Sequence, residues 1–126
     1  NLIILLAADN EFNQMVAVDT LEGAIPGAKV NVAQNGKLAV EMVIANDYDL
    51  VLMDIQMPEM DGHEATRTIR SNTDARVNSI PIIAMTASVI KAEVDKCFES
   101  GMNAFVGKPF SVEELLDKIA KTINPS

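Results

Sequence analysis

Residues 50–62 read LVLMDIQMPEMDG, an aliphatic run that ends in an aspartate and is followed by a turn with proline and glycine. A short apolar run bounded by turn residues is typical of a strand that is buried on both faces of a sheet. Asp54 therefore lies where a central strand leaves the sheet. Because a buried strand has no structural need for an acid at its end, we expect Asp54 to serve a chemical function.

Apolar runs alternate with segments of helical periodicity along the whole chain. The predicted strands are 2–7, 29–33, 50–53, 82–85 and 104–106, and the predicted helices are 12–21, 37–45, 64–70, 92–99 and a last helix that begins with a capping box at Ser111 and Glu114. This alternation predicts an α/β fold, a parallel sheet with helices on both faces and right-handed crossovers. Five units favour the flavodoxin-like doubly wound (βα)5 fold with strand order 2-1-3-4-5 over the six-stranded Rossmann type.

In that strand order the first and third strands are neighbours, and ligands bind at the carboxyl ends of the strands. Asp9 and Asp54 follow these two strands, while Thr86 and Lys108 follow the fourth and fifth. Two adjacent carboxylates repel each other unless a cation lies between them, and Mg²⁺ prefers oxygen ligands and often binds phosphate as well. A hydroxyl and an ammonium can bind phosphate oxygens, and a carboxylate can attack phosphorus. The residues predict a magnesium-dependent site that phosphorylates Asp54.

Length and composition exclude several classes of protein. A chain of 126 residues is one domain, 1–126, and we expect it to be trimmed from a longer protein because it opens one residue before a core strand. The net charge of -8 argues against direct nucleic-acid binding, which needs a basic face. No apolar stretch approaches the roughly 20 residues of a membrane span, so no direct membrane contact is expected. The single cysteine, Cys97, predicts a reducing compartment, the cytoplasm.

Four segments together resemble the receiver domains of two-component response regulators. They are LLAADN at 5–10, the run from Asp54 to Gly62, PIIAMTA at 81–87 and GKPF at 107–110. Their order and spacing extend the resemblance over essentially the whole chain. The runs DNEFNQ at 9–14 and PIIAMT at 81–86 are most similar to receivers fused to hybrid histidine kinases. The resemblance implies a histidine kinase or a histidine-phosphotransfer domain as partner, and allows a place in the cytoplasmic part of a membrane-bound hybrid kinase.

The resemblance also implies a role for each residue on the rim of the sheet. Asp54 would be the phosphoacceptor, which takes a phosphoryl group from phosphohistidine. Asp9 and Asp54 would bind Mg²⁺, and the backbone carbonyl of Gln56 would complete the ligands from the protein. Thr86 would bond to the phosphoryl group and Lys108 would pair with it. Such a domain catalyses its own phosphorylation and dephosphorylation, so whether it counts as an enzyme stays open.

Phe105 is the switch aromatic by the same resemblance. The phosphoryl charge would draw the Thr86 hydroxyl, and Phe105 would turn inward into the vacated space. This shift would alter the surface of the fourth predicted helix, the fifth strand and the fifth helix, and a weak dimer through that surface stays open. Because Phe105 has no hydroxyl, we expect no hydrogen bond to hold its outward position, and a larger inward bias. Phe98 is expected in the core.

One position departs from the family pattern. Receivers normally carry two acids after the first strand, and Ala8 stands in place of the first of them. We expect weaker Mg²⁺ binding, by about 10–100-fold, and slower phosphorylation. The alternative function is therefore a degenerate receiver that acts as a protein-binding module.

Two other classes fit less well. A haloacid-dehalogenase-type phosphatase has its nucleophile after the first strand and a second Asp two residues on, whereas Asp54 follows the third strand and Gln56 stands two residues on. A flavodoxin would need a phosphate loop rich in Ser and Thr after the first strand.

Overall fold

The computed structural model describes residues 2–55, 57, 59–87, 90–107 and 111–123. Five strands and six helices lie in this described part: β1 (Ile3–Ala7), α1 (Glu11–Ala24), β2 (Lys29–Ala33), α2 (Gly36–Ala45), β3 (Leu50–Asp54), α3 (Gly62–Arg70), α4 (Ala75–Asn78), β4 (Ile82–Thr86), α5 (Lys91–Ser100), β5 (Ala104–Gly107) and α6 (Val112–Ile123). No helix among these residues has both the length and the apolar character that crossing a membrane requires.

The five strands form one sheet in the order β2-β1-β3-β4-β5, and all four pairings are parallel. The predicted fold class and strand order are therefore confirmed. β3 and β4 are buried along their whole length, whereas β2 at one edge alternates between exposed and partly buried residues. Strands covered by helices on both faces need apolar side chains in both directions, which is why the central strands read as continuous aliphatic runs.

The core is divided by the sheet into two apolar layers. Val51 and Met53 point into the layer beneath α2, α3 and α5, and Leu50 and Leu52 point into the layer beneath α1 and α6. All four side chains are fully buried. Successive side chains of a strand point to opposite faces, so this one strand contributes to both layers.

Several helix ends follow the signals in the sequence. The Glu114 N–H donates to Ser111 Oγ over 3.1 Å, in agreement with the predicted start of α6. Gly101 ends α5 with a left-handed φ of 110°, a conformation that glycine adopts without steric penalty. The predicted helix 64–70 begins two residues earlier, at Gly62, because Asp61 caps it.

The sequence pattern did not predict α4, since four residues are too few to show helical periodicity. Its Arg76 donates to the carbonyls of Ile44 and Asn46 over 2.8 and 2.6 Å at the end of α2, and to the Val43 carbonyl over 3.2 Å. A cationic side chain in this place satisfies carbonyls that have no partner within their own helix. The short helix thus completes the end of α2.

A second arginine connects the segments at the amino ends of β4 and β5. Arg70 donates to the carbonyls of Gly101, Asn78 and Ile80 over 2.7–2.9 Å and to Asn103 Oδ1 over 2.8 Å. Burial lowers the pKa of the Arg70 guanidinium. Its planar fork of donors suits several fixed acceptors at once, so this side chain links α3 to two loops at the end of the sheet away from Asp54.

Candidate functional site

Asp54 is the last residue of β3, and its side chain is only 6% exposed. β1 and β4 flank β3, with Ala7 paired to Met53 and Asp54 itself paired to Met85. The Ile55 N–H donates to the Met85 carbonyl over 3.3 Å, so hydrogen bonding to β4 continues one residue past Asp54. A carboxylate in this position lies at the carboxyl rim of the sheet, between the ends of two neighbouring strands.

Two of the other predicted site residues lie on the same rim. Thr86 is the last residue of β4 and is 6% exposed, and Asp9 is an exposed residue two positions after β1. The structure thus places Asp9, Asp54 and Thr86 at the carboxyl ends of three adjacent strands. Gln56 and Lys108, the other two predicted site residues, lie outside the described residues.

Ala8 occupies the position between β1 and Asp9. It is 2% exposed, its N–H donates to the Ala33 carbonyl of β2 over 3.0 Å, and its carbonyl accepts from the side-chain amide of Gln14. Its methyl group belongs to the apolar layer beneath α1 and α6. An apolar, buried methyl therefore stands where the resemblance to receiver domains predicts a carboxylate.

The carboxylates of Asp9 and Asp54 are ligands of the kind that magnesium prefers. Asp9 and Asp54 offer carboxylate oxygens, and Mg²⁺ is commonly bound by one or two carboxylates together with waters and phosphate oxygens. Within the described ranges no cluster of three or more His, Cys, Asp and Glu side chains could hold a metal ion.

Two glycines press against the backbone around the site. The Gly62 N–H donates to the Ile55 carbonyl over 2.9 Å, and a Cβ on Gly62 would lie 2.3 Å from the Asp54 carbonyl oxygen. The Gly36 N–H donates to the Met60 carbonyl over 3.0 Å, and a Cβ there would lie 2.2 Å from that oxygen. The first residues of α2 and α3 therefore hold both ends of the segment that follows Asp54.

The sequence analysis missed this contribution of the glycines, although a signal for it was present. Each glycine follows a helix cap: Asn35 accepts from the Leu38 N–H over 2.8 Å, and Asp61 accepts from the Glu64 N–H over 2.9 Å. The capping residue marks the start of a helix, and the glycine after it permits another backbone to approach closely because it has no Cβ. Which backbone approaches is not visible in the sequence.

Phe98 contradicts its predicted place in the core, since it is 47% exposed. It lies on α5 with Cys97, and Cys97 takes the buried position of that helix instead. Burial raises the pKa of the Cys97 thiol, and the nearby charge of Glu93 adds to this effect. On a helix, adjacent residues point about 100° apart, so only one of these two side chains can face the sheet.

Comparison with known proteins identifies the family of the chain. The response regulator receiver domain family matches residues 4–120 of the chain. The chain belongs to the response regulator receiver family. This receiver is 44% identical over 120 residues to the two-component response regulator ORR41 of Oryza sativa subsp. japonica, a match that covers 94% of the receiver and 91% of that protein.

Histidine kinases are also among the relatives of this receiver. It is 39% identical over 142 residues to probable histidine kinase 4 of Oryza sativa subsp. japonica, covering 97% of the receiver and 14% of the kinase. It is 40% identical over 125 residues to hybrid signal transduction histidine kinase K of Dictyostelium discoideum, covering 95% of the receiver and 10% of the kinase. The receiver thus spans a small part of these kinases, and the predicted similarity to receivers of hybrid histidine kinases is confirmed.

Solved structures share the fold of this receiver. The receiver domain of a Pseudomonas aeruginosa sensor histidine kinase superposes with a TM-score of 0.88 at 35% identity, covering 98% of both chains, and was crystallised with a magnesium ion coordinated in its active site cleft. A chemotaxis protein of Vibrio cholerae, CheY4, gives a TM-score of 0.86 at 23% identity over 96% of the receiver and 98% of that chain, and so supports the fold alone.

Proposed function

We propose that this receiver is a phosphorylation-dependent signalling switch that accepts a phosphoryl group from phosphohistidine onto Asp54 in a Mg²⁺-dependent reaction. The observation that carries the proposal is the position of Asp54, a carboxylate 6% exposed at the end of the central strand β3. Asp9 follows β1 and Thr86 ends β4, the two strands that flank β3, and Gly62 closes against the backbone of Asp54. These residues give the nucleophile a fixed place with oxygen donors on both sides.

In the proposed reaction a carboxylate oxygen of Asp54 attacks the phosphorus of phosphohistidine. A P–O bond forms, the P–N bond breaks, and the imidazole nitrogen leaves with the bonding electron pair and takes up a proton. Water later attacks the same phosphorus, which releases inorganic phosphate and restores the carboxylate. The Thr86 hydroxyl donates to a phosphoryl oxygen, and the Lys108 ammonium pairs with another.

Magnesium would supply positive charge that offsets the repulsion among the carboxylates and the incoming phosphoryl group. Asp9, Asp54 and the backbone carbonyl of Gln56 would hold it. The support for this assignment is the pair of carboxylates on adjacent strand ends, together with the magnesium ion in the related Pseudomonas aeruginosa receiver. Ala8 offers no oxygen from its side chain, so we expect the affinity for Mg²⁺ to be about 10–100-fold below that of a receiver with both acids.

The proposed partner is a histidine kinase or a histidine-phosphotransfer domain. The similarity to receivers within hybrid histidine kinases supports this choice, and it also supports a single receiver domain, 1–126, within a longer cytoplasmic protein. The charge of -8 disfavours direct contact with nucleic acid. A weak dimer through the face of α5, β5 and α6 belongs to the same proposal.

The second candidate is a degenerate receiver that binds a partner protein without efficient phosphorylation. The specific observation in its favour is Ala8, whose methyl group is 2% exposed in an apolar layer at the place of the missing acid. Removing a carboxylate there takes away negative charge beside Asp9 and Asp54 and thereby weakens cation binding. In this case the fold persists while the chemistry is disabled.

Intact-mass spectrometry after incubation with phosphoramidate and Mg²⁺ tests the two candidates. We expect one added phosphoryl group on the parent chain, no adduct on Asp54→Asn, and faster formation on Ala8→Asp. Asp19→Asn is the matched control, because Asp19 is an exposed carboxylate on α1, and its adduct should equal that of the parent. An adduct that persists on Asp54→Asn would contradict the assigned phosphoacceptor, and an adduct on Ala8→Asp alone would favour the binding module.

A further inference from the structure

Phe105 lies on the edge strand β5 beside small residues. It pairs with Ala84, and two positions further toward the rim Thr86 pairs with Gly107. Residues two apart on a strand point to the same face of a sheet, so Phe105 and Thr86 share one face, diagonally across the β4–β5 pair. Since Gly107 has no side chain and Ala84 only a methyl, no large side chain from these paired positions separates the aromatic ring from Thr86. The sheet thus leaves an inward position for the ring.

The half-buried Phe105 ring makes one aromatic contact and one cation–π contact with the flanking helices. The Phe98 ring of α5 meets it edge-on, with 6.2 Å between the centroids and 86° between the planes. The Lys118 Nζ of α6 lies over its face, 5.2 Å from the centroid. An edge-to-face aromatic pair and a cation within about 6 Å of a ring are both attractive arrangements. Two different helices therefore hold the one ring of Phe105.

We propose that the half-buried position of the Phe105 ring is the outward position of the switch, and that Phe98 and Lys118 form a cage that holds the ring there, with Lys118 as a positioning residue. The proposal rests on the proposed function for its role in signalling. Phe105 has no hydroxyl that could hold its outward position by a hydrogen bond, and the cage serves in place of that bond. The bias of the ring toward the inward position that the sequence predicts is therefore offset. It also explains why Phe98 stays 47% exposed, since from there its edge reaches Phe105.

The cage itself is tested by NMR without any phosphoryl mimic. Protons above an aromatic ring shift upfield, so the ε-methylene protons of Lys118 should resonate upfield of those of Lys121. The matched residue Lys121 lies on the same helix and pairs with Asp117 over 3.0 Å. Phe105→Leu should remove the difference between the two lysines. Equal shifts of Lys118 and Lys121 in the parent would overturn the proposal, whatever the phosphorylation chemistry proves to be.

The effect on the ring is tested by the side-chain rotamer populations of Phe105, again without mimic. Lys118→Met keeps the aliphatic stem and removes the charge, and it should raise the ratio of inward to outward ring about two- to fivefold. Lys118→Arg should restore the parent ratio, and Lys121→Met should leave it unchanged. If Lys118→Met and Lys121→Met give the same ratio, the cage does not position the ring and the proposal is wrong.

Titration with beryllium trifluoride and Mg²⁺ then links the cage to signalling. The mimic concentration that gives half of the spectral change should be about two- to fivefold lower for Lys118→Met than for the parent. Lys121→Met should give the same concentration as the parent. A parent that gives no response to the mimic contradicts the proposed function, while the two measurements without mimic still decide the cage. A parent that responds at the same concentration as Lys118→Met contradicts the role of the cage in switching.

Discussion

Gly62→Ala should damage both the stability and the chemistry of this receiver. The added Cβ would lie 2.3 Å from the Asp54 carbonyl oxygen and 3.0 Å from the Ile55 Cα, whereas ordinary contact begins near 3.4 Å. The obstacle is backbone, which cannot rotate aside as a flexible side chain can. The start of α3 must therefore retreat from the end of β3 by about 1 Å, in a region as densely packed as other protein interiors.

The expected loss of unfolding free energy is about 3 kcal/mol. Overpacking costs about 1–3 kcal/mol, and a backbone obstacle puts this site at the upper end. Weakening the 2.9 Å hydrogen bond from the Gly62 N–H to the Ile55 carbonyl adds about 1 kcal/mol. Alanine recovers up to about 1 kcal/mol through its better helix propensity. Urea denaturation followed by circular dichroism measures the difference, provided that the slopes of the two curves agree.

Gly23→Ala is the matched control, because a Cβ on Gly23 in α1 meets nothing within 4 Å. It should stabilise the receiver by about 0.5–1 kcal/mol. Gly62→Ala should also slow phosphorylation of Asp54 by phosphoramidate, by up to about 100-fold, since a displacement of about 1 Å can have that effect. Surface substitutions usually change the unfolding free energy by no more than about 0.5 kcal/mol. If the unfolding free energy of Gly62→Ala lies within that range of the parent, the close fit between α3 and β3 is not what secures the site.

Three further predictions concern other parts of the receiver. Ala8→Asp should lower the unfolding free energy without Mg²⁺ by about 1–3 kcal/mol, because it places a carboxylate at a buried position. Added Mg²⁺ should restore part of the loss. Thermal melts with and without Mg²⁺ measure both effects, and an unchanged melt would contradict the prediction. Arg70→Lys should lower the unfolding free energy, measured by urea denaturation, by about 2–4 kcal/mol, because an ammonium cannot reach the four acceptors of the guanidinium. Arg67→Lys, at an exposed position, should change it by almost nothing, and equal effects of the two substitutions would refute the prediction. Burial raises the pKa of the Cys97 thiol above its ordinary value of 9.0, so the folded state favours the neutral thiol. Stability therefore declines as the pH rises from that ordinary value through the raised pKa. Cys97→Ala should flatten this decline in a plot of unfolding free energy against pH, and parallel curves would argue against it.

Much of the fold and part of the site could be predicted from local patterns. The aliphatic run at 50–53 predicted a central strand, and β3 is buried on both faces. The alternation of strands and helices was enough to predict the order 2-1-3-4-5, which in turn places Asp9 and Asp54 at the ends of neighbouring strands. These predictions succeed because apolar periodicity and crossover handedness constrain each unit within about 30 residues of chain.

Contacts between distant parts of the chain could not be predicted in this way. The fit of Gly62 against Asp54 and the hydrogen bonds of Arg70 to two loops each join segments that no local pattern relates. The four residues of α4 show no periodicity, and the choice between Cys97 and Phe98 for the buried position of α5 depends on how that helix is rotated against the sheet.

The sequence by itself therefore determined the receiver fold, the strand order and the rim on which Asp9, Asp54 and Thr86 stand. Only the tertiary structure decided how the backbone around Asp54 is held, and that Phe98 and Lys118 both contact the ring of Phe105. The physical reason is that hydrophobic periodicity is a property of each segment alone. Close backbone approach and side-chain contacts between helices depend instead on the final positions of several segments at once.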